Sequence, residues 1–164
     1  VRVISRDPSN FTWEVGIDAG TDDGVRPDMA VVGSAEGAGA LAGTVVSAGT
    51  DTARVRFVVD TRSTVISLDQ RTRALGLVKG QPGGQLVMTE VQATDVVTNG
   101  DAVVSAGLAL SNDERSTYPK GLLIGQVQAV QQDSNALTKT VFVRPALDFR
   151  SIDRLLVVTD FTQG

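Results

Sequence analysis

Apolar residues in this chain recur at every second position rather than every third or fourth. The stretches "FTWEVGID" (11–18), "ARVRFVVD" (53–60), "QLVMTEV" (85–91) and "TKTVFVRP" (138–145) all alternate in this way. A two-residue period places one apolar face inward on a half-buried strand. Clusters of Gly, Pro, Asn and Asp separate these runs, as turns separate strands. The first half predicts six strands, in "VRVISRD", "FTWEVGID", "MAVVG", "GALAGTVVSAG", "ARVRFVVD" and "TVISLDQ". The second half predicts six more, in "ALGLVKG", "QLVMTEV", "AVVSAG", "GLLIGQVQAVQ", "TKTVFVRP" and "RLLVVTD". Only "SNDERSTY" and "RSIDRLL" have any helical claim, about one turn each.

The two halves also align. "VRPDMAVV" (Val25–Val32) matches "VTNGDAVV" (Val97–Val104) at an offset of 72, and "GALAGTVV" (Gly39–Val46) matches "GLLIGQVQ" (Gly121–Gln128) at an offset of 82. An extra loop in the second half, "LALSNDERSTYPK", absorbs the difference. The shared core is Gly-x-Leu-x-Gly-x-Val, at Gly39, Leu41, Gly43 and Val45 and again at Gly121, Leu123, Gly125 and Val127. Glycines interleaved with apolar residues suit the bends and bulges of small barrels. The expected fold is all-β: two small six-stranded barrel-like domains, residues 1–70 and 71–164, related by internal duplication. Each is near the lower limit for an independent core, so the two are expected to pack together, with terminal strands free to exchange between them.

Composition narrows the function. With 41% hydrophobic and 21% charged residues the chain is globular, and seven aromatics among many Val, Gly and Thr agree with strands. A net charge of −4 gives no electrostatic footprint for nucleic acid. No cysteine is present, which removes disulfides and thiolate metal sites. No histidine is present either, which removes Ser-His-Asp and Cys-His catalysis and imidazole-ligated metal. No run approaches the roughly eighteen apolar residues of a membrane helix, and no signal peptide is read at the start.

Four motifs invite chemistry. Asp51-Thr52 and Asp60-Thr61 look like the Asp-Thr pairs of aspartic proteases, which need two carboxylates about 3 Å apart. They are followed by Ala53 and Arg62 rather than glycine, and they end one strand whose length separates them by about 25–30 Å. They read as strand-end turn residues. "GAGALA" (Gly37–Ala42) satisfies the dinucleotide fingerprint, but the β-branched stretch after it is poor material for the helix that motif needs. "DAGTDDG" (Asp18–Gly24) has Asp23 where a calcium loop needs Gly and Met29 where it needs Glu, so it reads as a solvated turn. Among the aromatics, Phe11 and Trp13 share a face with Val15 and Ile17 and read chiefly as core. Tyr118, with Leu108 and Leu110 upstream in the long loop, is a candidate for partner contact, and Trp13 is kept as a second. No catalytic, cofactor or metal residue is assigned.

Three stretches carry a family resemblance: Ile4–Val32, Gly43–Val65 and Tyr118–Val130, most specifically Asp7–Asn10, Gly100–Val104 and Pro119–Gly125. Together they resemble the extracytoplasmic region of the MreC family of bacterial rod-shape-determining proteins, over essentially the whole chain. The resemblance implies a non-enzymatic scaffold on the periplasmic or cell-wall side, tethered by an N-terminal membrane helix and coiled coil outside this chain. It implies binding to a class B penicillin-binding protein, the transpeptidase of sidewall synthesis. It also implies links to MreB and MreD through parts absent here, and self-association into dimers or filaments. The loop from Leu108 to Tyr118 is longer and more charged than the family's usual connection. Two alternatives stay open: an aspartic-type hydrolase using Asp51 or Asp60, and a cell-wall glycan-binding module.

Overall fold

The computed structural model describes residues 1–6, 12–35, 37–107, 118–132 and 136–159. Twelve strands carry the fold: β1 (Val3–Arg6), β2 (Glu14–Ile17), β3 (Ala30–Ala35), β4 (Ala38–Ala48), β5 (Ala53–Phe57), β6 (Thr64–Asp69), β7 (Leu75–Gln81), β8 (Gln85–Gln92), β9 (Ala102–Ser105), β10 (Leu123–Gln131), β11 (Thr138–Pro145) and β12 (Leu156–Val157). The helical turn among the described residues is Thr21–Asp23, inside the acidic loop. Residues 150–156 form a turn and then strand pairings instead of the expected helical turn, and most of "SNDERSTY" lies outside the described residues.

The two-residue period is realised directly. In β5, Ala53, Val55 and Phe57 are buried while Arg54 and Arg56 face outward. In β11, Val141 and Val143 are buried while Phe142 and Arg144 are exposed. Six strands close into a barrel in the order β6-β7-β8-β11-β10-β9, with β9 returning to β6. The other six run β1-β2-β5-β4-β3-β12. An isolated antiparallel bridge between Arg2 and Arg154 brings the last of these back to the first. The two rings touch edge to edge where β4 and β10 pair in parallel at Ala40 and Leu123.

β6, counted with the first half in the sequence, therefore pairs with β7 and β9 in the second ring. The first ring takes its sixth strand, β12, from the far end of the chain. Both rings share one pairing order, with β3-β4-β5-β2-β1 running parallel to β9-β10-β11-β8-β7. This is a likeness of topology, and it does not by itself make one half a copy of the other.

Most of the apolar faces form one core spanning both rings, from Ile17, Leu41 and Val55 to Val78, Met88 and Val141, with a small second cluster at Leu68, Val104 and Ala106. Phe57 stacks at a tilt on Phe149, with centroids 4.9 Å apart, pinning the 146–155 segment across the first ring. Burial of each such large side chain stabilises by about 1.5–3 kcal/mol relative to exposure.

The second glycine of the repeated motif has a specific reason. A Cβ on Gly43 would lie 1.9 Å from the Arg56 carbonyl oxygen, and one on Gly125 would lie 2.1 Å from that of Arg144. The β4–β5 and β10–β11 ladders shift register just beyond, after Val45 and Val127 respectively. Each glycine thus lets a neighbouring backbone come close enough for the ladder to coil. Gly43→Ala is expected to cost at least about 2 kcal/mol in urea unfolding. Gly39→Ala, whose Cβ would meet nothing nearer than 3.9 Å, should stay within about 0.5 kcal/mol of the parent.

Candidate partner-binding surface

Past β5 the chain runs through the buried Val58 and Val59 to Asp60, whose side chain is completely buried. Its Oδ2 accepts the Trp13 backbone N–H at 3.0 Å and Nη2 of Arg62 at 2.9 Å. Its Oδ1 accepts the Arg62 backbone N–H at 2.8 Å and Nε of Arg62 at 3.0 Å. Burial alone would push this carboxyl up. The hydrogen bonds from Arg62 and Trp13 outweigh it and hold Asp60 down at about 2. Both oxygens are taken by N–H donors, so neither can share a proton with a second acid as a hydrolytic dyad requires. Asp51, its would-be partner, is an exposed turn residue.

A pair of carboxyl groups that do meet lies elsewhere. Asp69 is fully buried, and its Oδ1 accepts the backbone N–H groups of Arg71 and Thr72. Burial and the neighbouring Asp101 carboxyl raise Asp69, while the forked Arg71 guanidinium at 2.9 and 3.0 Å depresses Asp101. This cluster clamps the β6–β7 turn to the loop before β9, where the Thr72 hydroxyl also donates to the Val96 carbonyl. Asp69 is sealed from solvent, and the Asp101 carboxylate is occupied by the Arg71 fork. Gly37 is a turn residue at φ +84°, and the strand β4 follows it, so "GAGALA" presents no helix N-terminus to a phosphate. Among the described residues no group of three or more acidic, His or Cys side chains could hold a metal.

The outward face of the first ring is more distinctive. Glu14, Arg56 and Thr44 lie directly opposite one another across β2, β5 and β4, and Arg54 shares the Arg56 face. Three guanidinium groups converge on the Glu14 carboxylate. Arg54 Nη2 lies 3.2 Å from Oε1, Arg56 Nη2 3.2 Å from Oε2, and Arg62 Nη2 2.8 Å from Oε2. Burial raises Glu14, but hydrogen bonds from Arg54 and Arg56 and the charge of Arg62 bring it below its usual range. Three cations therefore face two carboxylates, Glu14 and Asp60, in a chain whose net charge is −4.

Of the two aromatic candidates, Tyr118 borders this face, while the Trp13 side chain packs on the core side of the strand. Trp13 is half-buried against the core, and the Arg150 guanidinium sits 5.7 Å from its ring centroid. A Cβ on Gly84, in the β7–β8 turn, would lie 2.8 Å from the indole, so Trp13 leans from the first ring onto a hairpin of the second. Tyr118 is also half-buried and packed on the core; burial and the Asp28 charge raise its hydroxyl, while the hydrogen bond with Thr44 and the Arg56 charge oppose them. Leu108 and Leu110 lie outside the described residues. Sequence reasoning passed over Glu14, Arg54, Arg56 and Arg62. The available signal was the strand "ARVRF", which puts two arginines on one outward face, followed at once by Asp60-x-Arg62.

This fold has known counterparts. The family model of the rod shape-determining protein MreC, barrel core, matches residues 3–159. The chain belongs to the MreC family. The cell shape-determining protein MreC of Bacillus subtilis is 33% identical over 95% of this chain and 54% of its own length, and that of Listeria monocytogenes is 30% identical over 95% and 51%. The chain thus spans about half the length of these MreC relatives. The crystal structure of MreC from Pseudomonas aeruginosa superposes with a TM-score of 0.84 at 28% identity, covering 96% of both chains. A chain in the complex between penicillin-binding protein 2 and MreC from Helicobacter pylori shares the fold, with a TM-score of 0.63 at 13% identity over 90% of this chain and 85% of that one.

Asp60 yields a pH test. Its folded value of about 2 lies below the ordinary 3.8, so its contribution is whole above about pH 4 and disappears as pH falls toward 2. After allowing for the half-exposed Arg62, that contribution is about 1–2 kcal/mol. Asp60→Asn, which also leaves Arg62 and Trp13 without their acceptor, should lose at least about 2 kcal/mol at pH 7 in urea unfolding. Its deficit against the parent should shrink between pH 4 and pH 2.

Proposed function

We propose that this chain is a non-enzymatic scaffold of the cell-elongation machinery, on the extracytoplasmic side of the membrane, that binds and positions a class B penicillin-binding protein. The observation that carries the reading is the MreC family match over residues 3–159. The fold shared with a complex of penicillin-binding protein 2 and MreC from Helicobacter pylori supports the choice of partner. MreC chains from other bacteria are named for shape determination, and one is described as the major periplasmic domain of a cell shape-determining filament. By analogy, links to MreB and MreD run through segments beyond this chain, and copies associate with one another.

Mechanistically the scaffold works by binding free energy alone. A surface that prefers one conformation of the transpeptidase shifts its population by the difference in affinity for the two states. A rigid double ring suits that task, because a preformed surface loses little entropy on docking. Trp13 and Tyr118 are the contact residues we assign. In calorimetry with the purified ectodomain of the same bacterium's class B penicillin-binding protein, a saturable one-to-one association is expected. Absence of binding, together with pelleting of this chain by isolated peptidoglycan, would overturn the scaffold reading in favour of a glycan-binding module.

A further inference from the structure

The arginines on the first ring hold more hydrogen-bonding capacity than their partners use. Arg54 and Arg56 each spend Nε and Nη2 on Glu14, and Arg62 spends the same two nitrogens on Asp60 and Glu14. A guanidinium carries five N–H donors in a planar fork. No hydrogen bond engages Nη1 of any of the three among the described residues. The side chains of Arg54 and Arg62 are 51% and 48% exposed, so those donors face solvent. Their other nitrogens are anchored on a Glu14 side chain only 13% exposed, which fixes the forks before any ligand arrives. The array is bordered by Tyr118, whose hydroxyl is hydrogen-bonded to Thr44, the residue opposite Arg56.

We propose that Arg54, Arg56 and Arg62, flanked by Tyr118, form a docking surface for an acidic segment of a protein partner. The segment's carboxylates would share the guanidinium groups with Glu14, and its apolar side chains would lie against the aromatic border. Charge complementarity argues for the anion, since three guanidinium groups meet only Glu14 and Asp60 here, with Asp28 reaching no further than the Tyr118 border. The company of Tyr118 and three arginines argues for a protein, because Tyr and Arg are among the side chains that dominate the energetic centres of protein interfaces. Arg54 and Arg56, each with one Nη2 hydrogen and Nη1 unspent, can take a carboxylate end-on in bidentate fashion, and Arg62 adds single hydrogen bonds from Nη1. The proposal rests on the reading of this chain as a protein-binding scaffold, and it adds where and by what chemistry the partner is held.

The test follows the arginine Nε–Hε resonances by NMR during titration with a capped octapeptide of alternating Glu and Leu. Inorganic phosphate and phosphatidylglycerol vesicles serve as comparison probes. The peptide is expected to shift Arg54, Arg56 and Arg62 saturably, with affinity falling as salt rises. The double variant Arg54→Gln/Arg56→Gln should weaken peptide binding at least tenfold. It leaves Glu14 paired to Arg62, so its thermal midpoint should stay close to that of the parent, and unchanged amide shifts in the core would verify folding. Peptide binding that the double variant leaves intact, or no shift at the three arginines, would overturn the proposal. So would an equal response to phosphate or vesicles, which would mark a general anion or lipid-headgroup site. If the transpeptidase binds parent and double variant alike, the docking surface is refuted while the scaffold reading stands. If the transpeptidase binds neither, the scaffold reading fails, and the rest of the proposal falls with it.

Discussion

The carboxylate of Asp60 lies at the crossing on which both rings depend. The chain leaves β5, passes the buried Val58 and Val59, and turns at Asp60 into the second ring. There it runs so close to β7 that a Cβ on Gly80 would lie 2.1 Å from the Asp60 carbonyl oxygen. The same residue's carboxylate takes the backbone N–H of Trp13 from the first ring and the whole fork of Arg62. A buried charge is tolerable only when its hydrogen-bonding capacity is filled, and here donors from both sides of the crossing fill it. Arg62, held by Asp60, then reaches Glu14 and completes the outward arginine array. The position of the surface thus follows from the satisfaction of one buried acid.

A protein that works by presenting a surface gains from such over-determination. The two rings share one core, the Trp13 indole bridges from one ring to a hairpin of the other, and the C-terminal β12 stitches the chain end back into the first ring. Each link opposes hinge motion between the rings. A partner docking across such a body meets side chains already placed, and less of its binding free energy goes into ordering them.

How much of this could be read from sequence depends on whether a feature is local. Inside–outside alternation is local, so the strands themselves were legible, and so were Gly43 and Gly125 as places for the bends and bulges of a small barrel. Partner choice is not local. β6 follows β5 in the chain, and only the pairing with β7 and β9 puts it in the second ring. β12 lies more than a hundred residues from its neighbour β3, and nothing in its own residues names that neighbour. Asp60 reads locally as a strand-end acid because its burial is made by Trp13, 47 positions upstream. Glu14 and Arg56 become a pair only through the β2–β5 register. The aromatic candidates Trp13 and Tyr118 stood out because aromatics are scarce in this chain. The arginines of the first ring were harder to see, since outward charged residues on a strand are ordinary until the register gathers them.

Amide hydrogen exchange in the parent and in Asp60→Asn tests most directly whether this carboxylate ties the rings together. The account predicts that the variant loses protection on both sides of the crossing, at Trp13 and Val15 in the first ring and at Val78 and Gly80 in the second. Loss confined to residues 12–17 with β7 unchanged, or no loss at all, would contradict it.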